Sequence, residues 1–174
     1  GSVEVNGTDF DTSNAEVIIN GVKVGVGDDA VFDNLEIGMV VTVEGRIEDD
    51  ESFVADRVTY SANVIGPVED ISDIDATTKE IVVLGQTVIV NVITKFEETD
   101  FKDITEDDVI SVSGYLDDNG VIRATFLEKI DDGTPIFEVT GFVENLDPDL
   151  ETFMINDLTI DYAAISSALP QGIP

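Results

Sequence analysis

The chain has 174 residues, 43% of them hydrophobic, and sets 38 acidic against 8 basic side chains for a formal net charge of −30 at pH 7. That charge repels a polyphosphate backbone from every side and excludes nucleic-acid binding. The absence of Cys, His and Trp removes disulfides, thiolate and imidazole metal sites, the commonest general base and the main sugar-stacking side chain.

From the N-terminus, short apolar runs rich in Val and Ile alternate with Gly, Asp and Asn, which is the pattern of strands and turns. Asn6-Gly7 and Asn20-Gly21 each stand between such runs and predict two-residue hairpin turns, because Asn-Gly readily takes the positive φ angles these turns require. Further on, Val40-Val41-Thr42-Val43-Glu44-Gly45-Arg46 predicts a strand with a buried and a wet face, followed by an acidic turn at Asp49-Asp50-Glu51-Ser52. That text returns as Val109-Ile110-Ser111-Val112-Ser113-Gly114-Tyr115, where Ser111 and Ser113 are expected on the wet face against Val112, and Ile65-Gly66-Pro67-Val68-Glu69 returns as Thr140-Gly141-Phe142-Val143-Glu144. The same β-rich unit of roughly 70 residues therefore occurs about two and a half times.

The middle copy is complete and predicts five strands, at 64–71, 81–84, 87–92, 109–114 and 121–129. Five short strands fit a small closed or partly open barrel of the OB type better than a two-sheet sandwich. The fold expected is all-β, with tandem OB-like barrels: 1–61 lacking its first strand, 62–133 complete, and 134–174 lacking its last two strands. In the third copy the first three strands are expected at 137–146, 152–156 and 158–162. The first two copies are 78 positions apart at Val5 and Val83 but 69 apart at Gly45 and Gly114, so the first carries 9 extra residues. A hairpin around Asn20-Gly21 occupies that connector, which often holds a helix in OB-like barrels, and reads as a replaced or extended cap.

Taken together, Asn6-Gly7-Thr8 with Phe10-Asp11-Thr12-Ser13-Asn14-Ala15, then Gly38-Met39-Val40-Val41-Thr42-Val43-Glu44-Gly45, Gly66-Pro67-Val68, Val82-Val83-Leu84-Gly85-Gln86-Thr87-Val88 and Ile122-Arg123-Ala124-Thr125 resemble a bacterial exported family known as domain of unknown function 5666. The resemblance covers essentially the whole chain. It implies tandem OB-like barrels and an exported or lipid-anchored location, and it brings no reaction and no catalytic residues.

No constellation in the sequence carries catalysis. Acids at tight turns and on wet strand faces are solvated, and no apolar pocket that would raise one carboxyl pKa is visible, so the chain is not expected to be an enzyme. Calcium is the ion such a surface would take, and Asp117, Asp118, Asn119, Asp131 and Asp132 come nearest to a site, without the regular loop spacing of an EF-hand. Aromatics on an OB face could bind glycans or peptides, but Phe10, Phe53, Phe96 and Phe126 read as barrel interior.

The functional expectation rests on strand edges, since an open β-edge exposes unpaired backbone groups that proteins pair, cover or charge. The chain is expected to be an extracellular or cell-surface structural protein. In it the truncated third copy of one chain completes the truncated first copy of the next by strand addition, giving a filament. Val3 and Val5 on the accepting side, with Val139, Gly141, Val143 and Leu146 on the donating side, are the interface candidates. The alternative is a monomeric cell-surface binding module for a glycan, a peptide or Ca2+, cut from a longer tandem array. No apolar run approaches the ~20 residues of a spanning helix, and a signal or lipid anchor is expected only upstream of Gly1.

Overall fold

Asn-Gly turns start the fold, as their sequence requires. In the computed structural model, which describes residues 1–130 and 136–168, β1 (Ser2–Val5) and β2 (Thr8–Asp11) pair antiparallel with Val3 opposite Phe10. Asn6 and Gly7 both have positive φ, 51° and 79°. The same turn, with Asn20 at 45° and Gly21 at 79°, joins β3 (Glu16–Ile19) to β4 (Val22–Val26). A short helix α1 (Asp28–Asn34) follows, with Asp28 and Asp29 in its first turn, where carboxylates oppose the helix dipole favourably. The insertion thus contributes an extra edge hairpin, and a helix still occupies the connector.

β5 (Val41–Ile47) and β6 (Phe53–Tyr60) form the second antiparallel hairpin of the first copy. β6 also receives β2 and β3 in parallel along its other edge, giving the order β1-β2-β6-β3-β4 with β5 beside β6. The matching hairpin of the second copy is β11 (Val109–Leu116) with β12 (Ile122–Lys129). Both hairpins slip register at the repeated glycine, between Glu44 and Gly45 and between Ser113 and Gly114. A Cβ at Gly45 would lie 2.1 Å from the Val54 carbonyl oxygen, and one at Gly114 2.2 Å from that of Arg123, so the close approach of the partner strand demands glycine.

The second copy is a closed ring. β7 (Val64–Asp75), β8 (Thr78–Val83) and β9 (Gln86–Asn91) form a meander, β9 pairs in parallel with β12, and β11 returns to β7. Its core is closed to solvent: Val64, Val68, Ile81, Val83, Val88, Ile110, Val112, Ile122 and Leu127 are all buried. The five predicted segments appear as β7, β8, β9, β11 and β12; the short β10 (Lys95–Glu97), parallel to β12, is an addition. Phe126 is buried and Phe10 and Phe96 pack against the cores, but Phe53 sits exposed at the start of β6, edge-on to Phe10 at 5.6 Å between centroids.

The first and second copies are welded by Tyr60, Ala62 and Ile65, which pack with Ile19, Leu35, Met39, Val41 and Ile130. This junction overturns one expectation from the alternating pattern. Ser111 and Ser113 belong to the predicted wet face of β11, yet they are 3% and 0% exposed, because the first copy covers that face. Ser113 Oγ accepts the Val40 backbone N–H at 2.9 Å, so the buried hydroxyl is used.

The third copy begins by leaning on the second. β13 (Glu138–Val139) pairs with Ile65 and Val64 of β7, and a separate sheet β14 (Glu144–Asp147), β15 (Thr152–Ile155) and β16 (Leu158–Asp161) follows, ending in a 3₁₀ turn over Ala163–Ala168. The predicted strand at 137–146 is therefore divided between two sheets. Gln86, buried at the start of β9, donates from Nε2 to the carbonyls of Leu84 and Ile155, both at 2.9 Å, and its Oε1 accepts Asn156 Nδ2 at 2.6 Å.

Candidate functional site: an open groove between two strand edges

In the second barrel, β7 lies between β11 and β8: Val64, Ile65, Gly66 and Pro67 face β11, and from Val68 onward the strand pairs with β8. The repeat offsets place β5 where β11 stands and β1 where β8 stands. Among the described residues β5 pairs only with β6, and β1 only with β2, so both inner edges face an unfilled gap. The gap is a groove of about 860 Å³ whose lining includes Val3, Val5, Leu35, Met39, Val41 and, from the second copy, Tyr115.

Burial records the same opening. Ile81, Val83, Ile110 and Val112 of the second barrel are each 0% exposed, whereas their counterparts Val3, Val5, Val41 and Val43 are only half-buried. The first core has just Ala15, Ala55 and Val58 fully inside, with Val3, Phe10, Leu35, Val41 and Val43 packed around them. At about 25 cal/mol per Å² of apolar surface, and about 1.5–3 kcal/mol for a fully buried valine-sized side chain, a strand closing this gap would gain several kcal/mol from these positions.

The groove contains no titratable constellation. Glu4 and Glu36 line it, without a basic partner among the lining residues. What it offers is two rows of backbone N–H and C=O groups above an apolar floor, the kind of surface to which an extended chain can add.

Val3 and Val5, the accepting candidates, line the groove. The donating candidates are elsewhere and differently engaged. Val139 pairs with Val64 and packs against the second core, and a Cβ at Gly141 would lie 2.4 Å from Ile155 Cγ2, so both are in use within their own chain. Val143 is 60% exposed, its neighbour Phe142 82%, and Leu146 is also exposed. None of these residues lines the groove of its own chain.

The calcium candidates are a turn. Asp117 accepts Nε and Nη2 of Arg123 at 3.0 and 2.8 Å and the backbone N–H groups of Asn119 and Val121 at 2.9 and 3.1 Å, which holds its carboxyl below the ordinary aspartate range, the Arg123 contact foremost. Asp118 and Asn119 are exposed beside it; Asp131 and Asp132 lie outside the described residues. Among the described residues no cluster of three or more acidic side chains is placed to hold a metal ion.

Phe32, Ile37 and Tyr115 also line the groove, and composition gave them no prominence. The offset of 69 positions could have found one of them, since it sets Phe32 on Phe101 and Leu35 on Ile104. The family profile described as Domain of unknown function (DUF5666) matches residues 1–59 and 65–128, one match on each of the first two copies, and the chain belongs to that family. No curated protein and no solved structure matches it.

Proposed function

We propose that this DUF5666 protein is a structural subunit of an extracellular bacterial assembly, in which the first barrel of one chain is completed by a strand from the third copy of the next. The observation that supports the reading best is the β1/β5 groove, because β7 occupies the equivalent place in the second barrel and shows what kind of segment such a gap takes. We read both barrels as OB-type, a five-stranded ring in the second and, among the described residues, four of the same strands in the first. The donor is the segment 139–146, which aligns with the first half of β7 and presents Phe142 and Val143 to solvent. At home, 138–147 around it is held by two residues paired to β7, the Thr140 N–H on the Asn63 carbonyl at 2.9 Å and two aligned pairs to β15.

Head-to-tail addition of this kind is heterologous and gives a filament unless it closes into a ring. A net charge of −30 opposes approach of two chains, so assembly is expected to strengthen with ionic strength as the Debye length falls from about 30 Å at 0.01 M to about 8 Å at physiological salt. No described helix is long and apolar enough to cross a membrane. Export comes with the family resemblance, and the role we assign is mechanical, without a reaction.

The home contacts of Val139 and Gly141 favour a second reading, a monomeric surface module for a glycan, peptide or Ca2+ within a longer tandem array. Electron microscopy and light scattering of the full chain against a variant lacking residues 136–174 separate the two. Polymers in the full chain that vanish on deletion are expected. Polymers unchanged by the deletion, or a solution mass of one chain at every concentration and salt, overturn strand addition.

A further inference from the structure

Phe32 and Phe101 occupy the same place in the two copies, and so do Leu35 and Ile104. In the second barrel this connector is folded down: Ile104 is buried, Phe101 is half-buried against the core with the Lys79 ammonium 5.2 Å from its ring centroid, and Ile71 of β7 packs on the same cluster. Ile71 and Ile104 border one shallow depression. In the first barrel Leu35 reaches the core likewise, but Phe32 is 84% exposed and Ile37, which follows it around the rim of the β1/β5 groove, is 80% exposed. The aromatic residue is the same in both copies; among the described residues no strand stands beside Phe32 as β7, with Ile71, stands beside Phe101.

We infer that Phe32 and Ile37 form a specificity lip for the groove, and that the strand it selects is the 137–147 segment of a second copy of this chain, docking Leu146 where β7 docks Ile71. This rests on the strand-addition reading above. The pairing follows from the template. Gly66 faces Ile110 and Ile71 faces Ile81, and the repeat offsets turn these into Gly141 facing Val41 and Leu146 facing Val3. Leu146 is also free to serve. At home it lies inside the irregular part of the β14–β15 ladder, between the aligned pairs Glu144–Met154 and Asp147–Thr152, and beside Asn145 with φ 48°. An apolar lip facing an apolar side chain also rejects the acidic strands that abound in this chain, because a carboxylate at the Leu146 position would be desolvated without a partner.

The test uses the full chain and a fluorescent synthetic peptide of residues 137–147, read by anisotropy. Exposed Phe32 and Ile37 can be changed without touching the core, so Phe32→Ser with Ile37→Ser is expected to weaken the peptide at least about tenfold, Phe32→Leu to restore most of the affinity, and a Leu146→Asp peptide to lose about as much as the double variant. Wild-type peptide bound equally well, within about twofold, by the wild type and the double variant overturns the lip while leaving strand addition standing. Failure of the wild-type peptide to bind the wild-type chain at about 1 mM overturns strand addition and the lip with it.

Discussion

Replacing Gln86 by leucine keeps the side-chain volume and removes three hydrogen bonds at the joint between the second and third copies. The Leu84 and Ile155 carbonyls each lose an amide donor at 2.9 Å, and Asn156 loses its acceptor at 2.6 Å. Asn156 is exposed and re-solvates, whereas Ile155 is a buried residue whose carbonyl is left short of a donor. A neutral hydrogen bond is worth about 1 kcal/mol net, and a buried group left unsatisfied costs about 1–3 kcal/mol, so the joint is expected to weaken by about 3 kcal/mol, roughly 150-fold in its opening equilibrium. Hydrogen exchange reads this locally. Amides of β15 and β16 should exchange faster by about that factor, while those of β11 and β12 keep their protection. Third-copy amides within twofold of wild type, or a uniform loss throughout the second barrel, would refute the assignment of Gln86 to the joint. The same variant should also polymerise faster if strand addition operates, since it loosens the sheet that holds β14 at home.

Gly114→Ala places a Cβ 2.2 Å from the Arg123 carbonyl oxygen and should cost the second barrel about 3 kcal/mol or more, seen as a lower urea midpoint; a loss under about 1 kcal/mol would show that the bulge can relax. Tyr60 is buried, and burial pushes its pKa up against the lesser opposing influence of Ser111 and Ser113, whose hydroxyls are near but outside good hydrogen-bond geometry; Tyr60→Phe should therefore be neutral or stabilise by up to about 1 kcal/mol, and a clear destabilisation would reveal a partner for the hydroxyl. Asp117 is held ionised by Arg123, so its contribution is complete above the ordinary aspartate range and is lost as pH falls through its depressed pKa. NMR titration should place it below the range of a free aspartate and return it upward in Arg123→Gln, and no difference between the two proteins would count against the ion pair. Val5→Cys in one chain and Val143→Cys in another, neither with a native cysteine to compete, should crosslink under mild oxidation, while Val5→Cys with Glu144→Cys should not; the reverse preference would shift the register of the incoming strand.

The strands were legible because each is a short β-branched run closed by a turn residue, and Asn6-Gly7 and Asn20-Gly21 show how local that signal is: two residues with positive φ decide the hairpin alone. The repeat then placed part of the core, since Ala55 and Val58 align with Ala124 and Leu127 and are buried in both copies. What was not legible depends on contacts between copies. Ser111 and Ser113 alternate with Val112 as residues of a wet face would, and only the docking of the first copy makes them interior. Val139 looks like a free donor until β7 takes it up, and α1 has seven residues with no apolar periodicity and no side-chain cap, so nothing in the local sequence announces it. Phe32 carried a readable signal in its alignment with Phe101, but its meaning lies in exposure, which a sequence does not record.

Under the strand-addition proposal two homes compete for one segment, and the contacts in each say what would decide between them. At home, 138–147 is held by two residues of β7, the Thr140 N–H on the Asn63 carbonyl, the packing of Val139 on the second core and two aligned pairs with β15, with Phe142 and Val143 exposed. In the groove the same segment would face β5 along its first half and β1 along its second, and would cover Val3, Val5, Val41 and Val43 as β7 covers their counterparts. Home pairing is intramolecular and has no translational entropy to lose, while the groove offers more buried apolar surface at the cost of bringing two highly acidic chains together. Affinity for the groove should therefore rise with salt and with any substitution that loosens the Gln86 joint, and fall with any that roughens the Phe32 and Ile37 lip. Because these three levers act on charge, on the donor and on the acceptor separately, their effects on the free energy of assembly should add, and strong coupling between the Gln86 and Phe32 variants would mean that the two sites share more than one strand.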